Sequence, residues 1–298
     1  MGCAMGQQTG GTRTAGVSDD EIDAFRRRAT ERGRAVWRDL PWRHTDDPWA
    51  ILVSEVMLQQ TQVSRVEGKW EAWMESFPSA RALADAPLEP VLALWQGLGY
   101  NRRALNLKRA AEIIAAEHAG HVPADEAALL SLPGVGPATA AGVRAFAWGL
   151  AGVYLETNVR AVFIHEFFAG RERVTDAEIV PLVRATCPDD GPAVREWYWA
   201  LLDWGARLKR EGPNPTRRSG SHTVQSAFEG SHRQKRAWLL RRVLEAPCTT
   251  GELAAALADY ERAAGRTPPT FGEVAAIVEE LAGEGFVECA EGVWHCAE

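Results

Sequence analysis

The chain has 298 residues, of which 46% are hydrophobic and 24% charged, a composition that is ordinary for a globular protein of two or three domains. Its five cysteines are scattered without a CxxC pair, which indicates neither a disulfide framework nor a zinc site. No apolar run reaches the length of a membrane span, and residues 1–17 lack the apolar segment of a signal peptide. We therefore expect a cytoplasmic monomer with no membrane contact, in which residues 1–17 form a disordered tail.

The net charge of −7 argues against a nucleic-acid partner, but the charges are unevenly distributed. Residues 244–298 contain eleven acidic residues and two arginines, whereas residues 207–242 contain ten basic residues and two glutamates. The segment NRRALNLKR at 101–109 adds four more basic residues. Such runs are commonly a solvated helix face, but two of them together with a glycine hairpin favour contacts with phosphates.

Helical periodicity dominates from residue 18 to about 210. Ser18 and Glu21 match a capping box, a pattern that starts a helix, and the first helix continues to about residue 40. Two prolines then bracket the loop PWRHTDDP at 41–48. Apolar periodicity predicts one or two helices over 49–77 and single helices over 86–98, 101–118, 159–168, 176–187 and 194–210.

Residues 212–225 have the composition of a linker, and a different pattern follows them. Three predicted helices and a hairpin that turns at Ala290, Glu291 and Gly292 are the parts of a winged helix over 231–298. Its third helix, TFGEVAAIVEELAGE, has four glutamates and no basic residue, so a DNA duplex would repel it. We expect this domain to pack against the rest of the protein or to bind another protein.

The segment LPGVGPATA at 132–140 combines two glycines, framed by prolines, with a helix that starts directly after them. Glycine permits positive φ and removes side chains that would block a ligand, and the first amides of a helix bind phosphate. The alternative is a plain tight turn between packed helices. We predict that the DNA backbone is bound by Gly134, Val135, Gly136, Ala138, Thr139, Arg102 and Arg103.

Four segments resemble the MutY-type adenine DNA glycosylases in that family's order and spacing: LPWR at 40–43, SEVMLQQTQV at 54–63, LWQGLGY at 94–100, and the hairpin. The hairpin alone is similar to the wider helix-hairpin-helix superfamily that includes endonuclease III. The resemblance implies an all-α, two-lobed helix-hairpin-helix DNA glycosylase core over 18–230. Its six-helix lobe would cover about 42–146, and its second lobe would combine 18–41 with 147–230.

The resemblance gives two carboxylates a role in catalysis. Glu55 lies in the apolar run ILVSEVML, whose neighbours predict partial burial and the raised pKa that a general acid needs. In the family, this residue protonates adenine as the base leaves. The second carboxylate would stabilise the sugar cation or position water, and the aligned residue is Glu156 where the family has aspartate. The alternative is that Glu156 only caps the helix that follows it.

Other positions carry over from the family one at a time. Gln59 and Gln60 match residues that enter the duplex and support base flipping. Asn158 matches a residue beside the second carboxylate. For Leu58 and Leu98, core packing is an alternative to a role in the pocket. The residues that match the walls of the adenine pocket are Trp42, Arg43, Leu58, Thr61, Leu98 and Tyr100.

Three departures from related glycosylases shape the expected activity. Where glycosylases that also cut the strand carry a lysine nucleophile, this chain has Ala138, so we expect no lyase activity. Most family members bind a 4Fe-4S cluster through four cysteines, but no cysteine occurs between Ala206 and Cys248, so we expect no cofactor. The family's domain that reads 8-oxoguanine is also missing. A monovalent cation at the hairpin stays compatible with the pattern.

The sequence thus predicts a bacterial, nucleoid-associated DNA glycosylase that hydrolyses the bond to a mispaired or damaged base in duplex DNA, with adenine as the leading substrate. Two alternatives stay open at this stage. One is a glycosylase of the same fold that acts on a different lesion. The other is a DNA-binding protein without enzymatic activity, in which Glu55 and Glu156 are structural.

Overall fold

The computed structural model describes residues 16–221 and 227–297, so most of the predicted tail lies outside the described residues. The helices of the first part, numbered in chain order, are α1 Asp19–Arg34, α2 Pro48–Leu58, α3 Val63–Val66, α4 Lys69–Ser76, α5 Ala80–Ala84, α6 Leu88–Trp95, α7 Arg102–Glu117, α8 Glu126–Ser131, α9 Pro137–Trp148, α10 Thr157–Phe167, α11 Asp176–Thr186 and α12 Pro192–Glu211. Short 3₁₀ helices cover Pro41–Arg43 and Pro215–Arg218.

The last part of the chain contains α13 His232–Glu245, β1 Cys248–Thr249, α14 Thr250–Ala263, α15 Phe271–Glu284, β2 Val287–Ala290 and β3 Val293–Cys296. The strands form one antiparallel sheet in the order β1-β3-β2. A two-residue turn joins β2 to β3, and both Glu291 and Gly292 have the positive φ that such turns require. This order of helices and strands confirms the predicted winged helix.

The described residues fall into two compact units. Unit 1 combines residues 16–46 with 136–221, and unit 2 combines 47–135 with 227–297. The division differs from the predicted lobes at two points. Helix α9 belongs to unit 1, so the boundary lies at 135 rather than near 146, and the winged helix belongs to the same unit as the helices of residues 47–135.

Unit 1 is built around α12, which packs against α1 and α10. The predicted capping box is present at the start of α1, where Ser18 Oγ and the Glu21 side chain exchange bonds with each other's backbone amides. Phe25 on α1 is fully buried, and its ring lies edge-on to those of Phe163 and Trp197. The aromatic core therefore joins α1, α10 and α12.

Unit 2 breaks the predicted one or two helices over 49–77 into three, α2, α3 and α4. The breaks have local causes, because Gln60 has a φ of 54° and Gly68 a φ of 75°, values that no right-handed helix contains. The all-α character of the core is nevertheless confirmed.

No helix within residues 16–221 and 227–297 is both long and apolar enough to cross a membrane.

Candidate active site

Helix α2 carries Glu55, and every other residue of the helix is uncharged. Asp47 caps the helix through a bond from the Trp49 amide, and Pro48 occupies its first position, so the helix begins where the sequence is suited to start one. Residues 49–54, Val56 and Met57 are buried, whereas Glu55 is partly exposed. Partial burial agrees with the expectation for Glu55, and its raised pKa stays a prediction.

Arg103 holds the end of α2, and this corrects the prediction that it contacts phosphate. It is only 9% exposed, and its Nη1 donates to the carbonyl oxygens of Val56, Met57 and Gln59 at 2.7–2.9 Å. Carbonyl groups at the end of a helix lack some of their intrahelical partners, and Arg103 supplies donors to this region. Burial lowers the pKa of Arg103 to about 10, so the guanidinium stays charged at neutral pH.

The second terminal nitrogen of Arg103 reaches the loop between α6 and α7. Nη2 donates to Thr61 Oγ1 and to the carbonyl oxygens of Leu98 and Gly99 at 2.9–3.2 Å. One buried guanidinium therefore joins the end of α2 to the loop that carries Leu98 and Tyr100. Thr61, Leu98 and Tyr100 are predicted pocket residues, and the structure brings them together around Arg103.

The loop itself has an unusual backbone. Gly97, Gly99 and Tyr100 have φ values of 93°, 75° and 50°, and for tyrosine such a value is costly. Leu98 is buried, which agrees with core packing as the alternative to a role in the pocket. Leu58, Gln59 and Tyr100 are partly exposed, and Gln60 is exposed. Strained backbone persists only where neighbours determine it, and Arg103 is one such neighbour.

Arg102 is the second predicted phosphate contact, and it is engaged in an ion pair. Its Nη2 lies 2.9 Å from Glu284 Oε1, and its Nε donates to Glu284 Oε2 at 3.3 Å. Glu284 ends α15 of the winged helix, and Arg236 lies 2.9 Å from the same Oε1. Arg102 therefore has to share or leave Glu284 before it can bind a phosphate.

The two glycines of the hairpin have different backbone conformations. Gly134 has a φ of 80°, and a Cβ there would lie 3.0 Å from Asn106 Cβ on α7. Gly136 has a φ of −94° and caps α9, and a Cβ there would meet nothing within 4 Å. The role of Gly136 is to leave open space at the start of α9, where amides can bind an anion.

The hairpin also contacts the end of α2. The Gln59 side chain donates through Nε2 to the Gly134 carbonyl oxygen at 3.2 Å. Val135 and Thr139 are buried, whereas Ala138 is partly exposed in the first turn of α9. Backbone groups of Val135 and Thr139 therefore stay candidates for contact with DNA while their side chains pack inside, and a cation at the hairpin stays a prediction.

Glu156 caps α10, as the alternative to catalysis requires. Its Oε1 accepts hydrogen bonds from the amides of Asn158 at 2.5 Å and Val159 at 2.8 Å. Its Oε2 accepts only a 3.3 Å bond from Asn158 Nδ2 among the hydrogen bonds of the described residues. Capping by one oxygen is compatible with catalysis by the other, since Oε2 keeps most of its capacity to accept.

The electrostatics around Glu156 oppose one another. Burial raises the pKa of this carboxyl, while the Val159 amide, the charge of Lys209, the Asn158 amide and Arg160 lower it. Burial in turn lowers the pKa of Lys209, and Glu156 raises it. Burial is the larger effect, so the pKa of Glu156 lies above its usual value even though these donors favour the charged form.

Close helix packing places Asn158. A Cβ on Gly205 of α12 would lie 2.1 Å from the Asn158 carbonyl oxygen, so only glycine fits between α12 and the start of α10. Asn158 Oδ1 is buried and has no hydrogen-bond partner among the described residues. An orphaned acceptor beside a carboxylate is a position that suits a water molecule.

A sequence match now identifies the family. The HhH-GPD superfamily of base excision DNA repair proteins matches residues 53–217, more than half of the chain. This chain belongs to the HhH-GPD superfamily. The match includes Glu55, the hairpin and Glu156, and it ends before the winged helix.

Curated relatives narrow the similarity within the superfamily. The adenine DNA glycosylase of Mycolicibacterium smegmatis is 43% identical over 172 residues, which are 57% of this chain and 58% of that protein. The adenine DNA glycosylase of Mycobacterium tuberculosis H37Rv is 37% identical over 239 residues, covering 72% of this chain and 78% of that protein. The similarity thus spans less than two thirds of the Mycolicibacterium protein.

Solved structures agree on the fold. A thermostable thymine-DNA glycosylase superposes with a TM-score of 0.56 at 25% identity, covering 63% of this chain and 87% of that one. An endonuclease III trapped in a covalent intermediate with DNA gives a TM-score of 0.53 at 21% identity, covering 66% and 91%. The expected helix-hairpin-helix core is therefore confirmed.

Arg43, a predicted wall of the adenine pocket, is buried and paired within unit 1. It is 6% exposed and donates through both Nη1 and Nη2, each at 2.8 Å, to the carboxylate of Asp203. The guanidinium also lies over the rings of Trp37 and Trp199, at 4.5 and 5.6 Å from their centroids. The terminal nitrogens of Arg43 and the faces of its guanidinium thus make contacts within unit 1. These contacts fix the 3₁₀ turn that contains Arg43 and the buried Trp42.

The residues after α12 do not fit an iron–sulfur cluster. Thiolates would have to hold it, and the sequence has none between Ala206 and Cys248. Arg218 supports this segment instead, through bonds to the carbonyl oxygens of Phe168, Arg171 and Ile164. No group of three or more histidine, cysteine or acidic side chains within residues 16–221 and 227–297 is arranged to hold a metal ion.

Sequence reasoning missed Asp203, Lys209 and Arg233. Asp203 is 1% exposed and also accepts a hydrogen bond from the Arg38 amide. The sequence did contain a signal for Asp203: it lies in DWGA, on the apolar face of an amphipathic helix. An acidic residue that is buried in this way needs a cation as partner. Lys209 and Arg233 gave no signal, since both lie in a run of basic residues that a solvated surface also explains.

Proposed function

We propose that the protein is a DNA glycosylase that removes adenine from a mismatch in duplex DNA during base excision repair. The observation that carries this proposal is Glu55, the only ionisable side chain of the apolar helix α2, whose end Arg103 joins to the Tyr100 loop. The names of the adenine glycosylases that this chain resembles support adenine as the base.

In the proposed reaction, water replaces the base at C1′ of the deoxyribose. Glu55 gives its proton to adenine while the glycosidic bond breaks, and the electron pair of that bond stays with the base. Positive charge develops on the sugar, and the carboxylate of Glu156 stabilises it, orients the attacking water and accepts the proton that the water loses. Exchange of protons with solvent then restores both carboxyl groups. The two proposed roles require a neutral Glu55 and a charged Glu156.

The remaining expectations concern strand cleavage, cofactors, the oligomeric state and the other residues of the pocket. Ala138 supplies no amine, so base removal would proceed without cutting the strand. No cofactor enters the proposed reaction, and the enzyme would act as a monomer on duplex DNA in the nucleoid. Trp42, Leu58, Gln59, Gln60 and Asn158 keep their proposed roles around the flipped base and the sugar.

A second candidate is removal of a pyrimidine from a mismatch. The thymine/uracil-DNA glycosylase of Pyrobaculum aerophilum is 34% identical over 175 residues, covering 57% of this chain and 76% of that protein. Glu156 also differs from the aspartate of the MutY-type pattern, which leaves the identity of the base open. The similarity to this relative favours a pyrimidine as the alternative base.

The test is a panel of duplexes that each contain one candidate lesion: adenine opposite guanine or 8-oxoguanine, and thymine or uracil opposite guanine. We expect alkali-sensitive abasic sites only where adenine was mispaired, and no borohydride-trapped complex. Release of thymine or uracil alone would favour the second candidate. Binding without release from any duplex would identify a DNA-binding protein without activity.

A further inference from the structure

Arg233 lies on the first turn of α13 and contacts Tyr100. Its Nη1 donates to Tyr100 Oη at 3.0 Å, and its guanidinium carbon lies 5.5 Å from the centroid of the Tyr100 ring. The residue belongs to the winged helix, outside the part of the chain that matches the superfamily. The contact is therefore an addition to the shared core.

A second ring completes the surroundings of this guanidinium. Phe228, which is 47% exposed, places its centroid 5.4 Å from the Arg233 guanidinium carbon. A planar guanidinium can interact with aromatic rings and donate a directed hydrogen bond at the same time, which an ammonium group does less well. The contacts therefore favour arginine over positive charge alone.

The start of α13 is fixed by its own contacts. Ser231 caps the helix by accepting from the Gln234 amide, and buried Gln234 donates to Glu229 and to Tyr260. Arg236, one turn further on, pairs with Glu284. Because Glu284 also pairs with Arg102 of α7, the helix that carries Arg233 is fixed within unit 2, close to the Tyr100 loop.

Tyr100 needs such support. Its φ of 50° lies in the left-handed region, where a residue other than glycine stays only if its surroundings hold it. Arg103 lies 5.7 Å from the ring centroid, and Arg233 contacts both the ring and its hydroxyl group. Removal of Arg233 would leave the ring with the Arg103 contact and a strained backbone.

We propose that Arg233 is a positioning residue of the adenine pocket: through Tyr100, it makes the winged helix part of the machinery that holds the flipped base. This inference rests on the proposed function. Misplaced groups in a catalytic pocket reduce the rate more than the affinity, because duplex binding depends mainly on phosphate contacts. The winged helix thus acts on the base without reading DNA.

The test is a double-mutant cycle on single-turnover excision of adenine at saturating enzyme. We expect Arg233→Ala to lower the rate about tenfold with less than a threefold change in duplex affinity, and Arg233→Lys to lower it similarly. In a Tyr100→Ala background, which must retain measurable activity, the same Arg233→Ala change should alter the rate less than twofold. The control is Arg262→Ala, which removes the same charge from the same domain at an exposed pair with Asp259.

Several outcomes would overturn the inference. Equal losses from Arg233→Ala in both backgrounds would mean that Arg233 acts independently of Tyr100, and a loss confined to affinity would make it a phosphate contact. Full activity of Arg233→Lys would show that charge suffices. If the wild-type protein releases no adenine, the proposed function itself fails, whereas an active wild type with additive losses overturns only the role of Arg233. Thermal unfolding confirms that each variant is folded.

Discussion

The two units each hold one candidate carboxylate, and they position it by different means. In unit 2, Glu55 stands on an apolar helix whose end is fixed by the buried charge of Arg103. In unit 1, Glu156 stands at the start of α10, where its carboxylate accepts from the backbone amides of Asn158 and Val159 and where Gly205 packs closely against Asn158. Charge organises the first site, and backbone packing organises the second.

The difference explains how two carboxylates can take opposite roles. Burial among apolar neighbours favours the neutral form of a carboxyl group, which is the form that the proposed role of Glu55 needs. A helix start offers amides and the positive end of a dipole, which favour the anion. A proton donor and a stabiliser of positive charge need these two different environments.

The largest expected effect is at Glu55. Glu55→Gln keeps the shape of the side chain but removes the proton that the leaving base needs, so excision should fall about a thousandfold. Duplex affinity should change less than threefold, because phosphate contacts dominate it. Single-turnover kinetics and a binding titration measure the two quantities. Full excision by this variant would remove Glu55 from the mechanism.

The next effect separates capping from catalysis at Glu156. Glu156→Gln keeps an oxygen that can accept from the Asn158 and Val159 amides, so the melting temperature should hardly change, while the rate should fall about a hundredfold. Glu156→Ala also loses the cap and should lower the free energy of unfolding by about 1 kcal/mol. An active Glu156→Gln variant would leave Glu156 with a structural role alone.

Gly205 tests whether packing positions the second site. Gly205→Ala places a methyl group within 2.1 Å of the Asn158 carbonyl oxygen, so we expect a loss of about 2 kcal/mol in the free energy of unfolding, measured with urea. The excision rate should fall too, because Asn158 and Glu156 move together. Gly212→Ala is the matched control, since a Cβ there meets nothing within 4 Å. Equal stability of both variants would contradict the packing argument.

Much of this organisation was predictable from local patterns. The capping box at Ser18 and Glu21, the winged helix and the hairpin turn at Glu291 follow from short-range rules of capping, periodicity and turn chemistry, and the structure bears them out. The cap at Glu156 was foreseen as an alternative for the same reason. Short-range signals were reliable because their causes lie within a few residues.

The arginines were not predictable, because their partners are distant in sequence. Arg102 and Arg103 are adjacent and were given one role, yet Arg103 lies buried among six oxygen acceptors while Arg102 pairs with Glu284, 182 residues away. Arg43 finds Asp203 across 160 residues. A basic residue carries no local mark of whether its partner is a phosphate, a carboxylate or a carbonyl group.

The smallest expected effect concerns the ion pairs of Glu284 in unit 2 and their influence on the affinity for duplex DNA. Glu284→Gln removes the carboxylate that holds Arg102 and Arg236, so Arg102 becomes available to a phosphate. We expect the affinity for duplex DNA to rise severalfold at low salt and the slope of log affinity against log salt to steepen by about one. Glu245→Gln is the control, because it removes the same charge from an exposed pair with Arg242 within the same domain. If both variants bind DNA equally well, Arg102 contacts no phosphate, and the role of the Glu284 pairs is confined to holding the winged helix on α7.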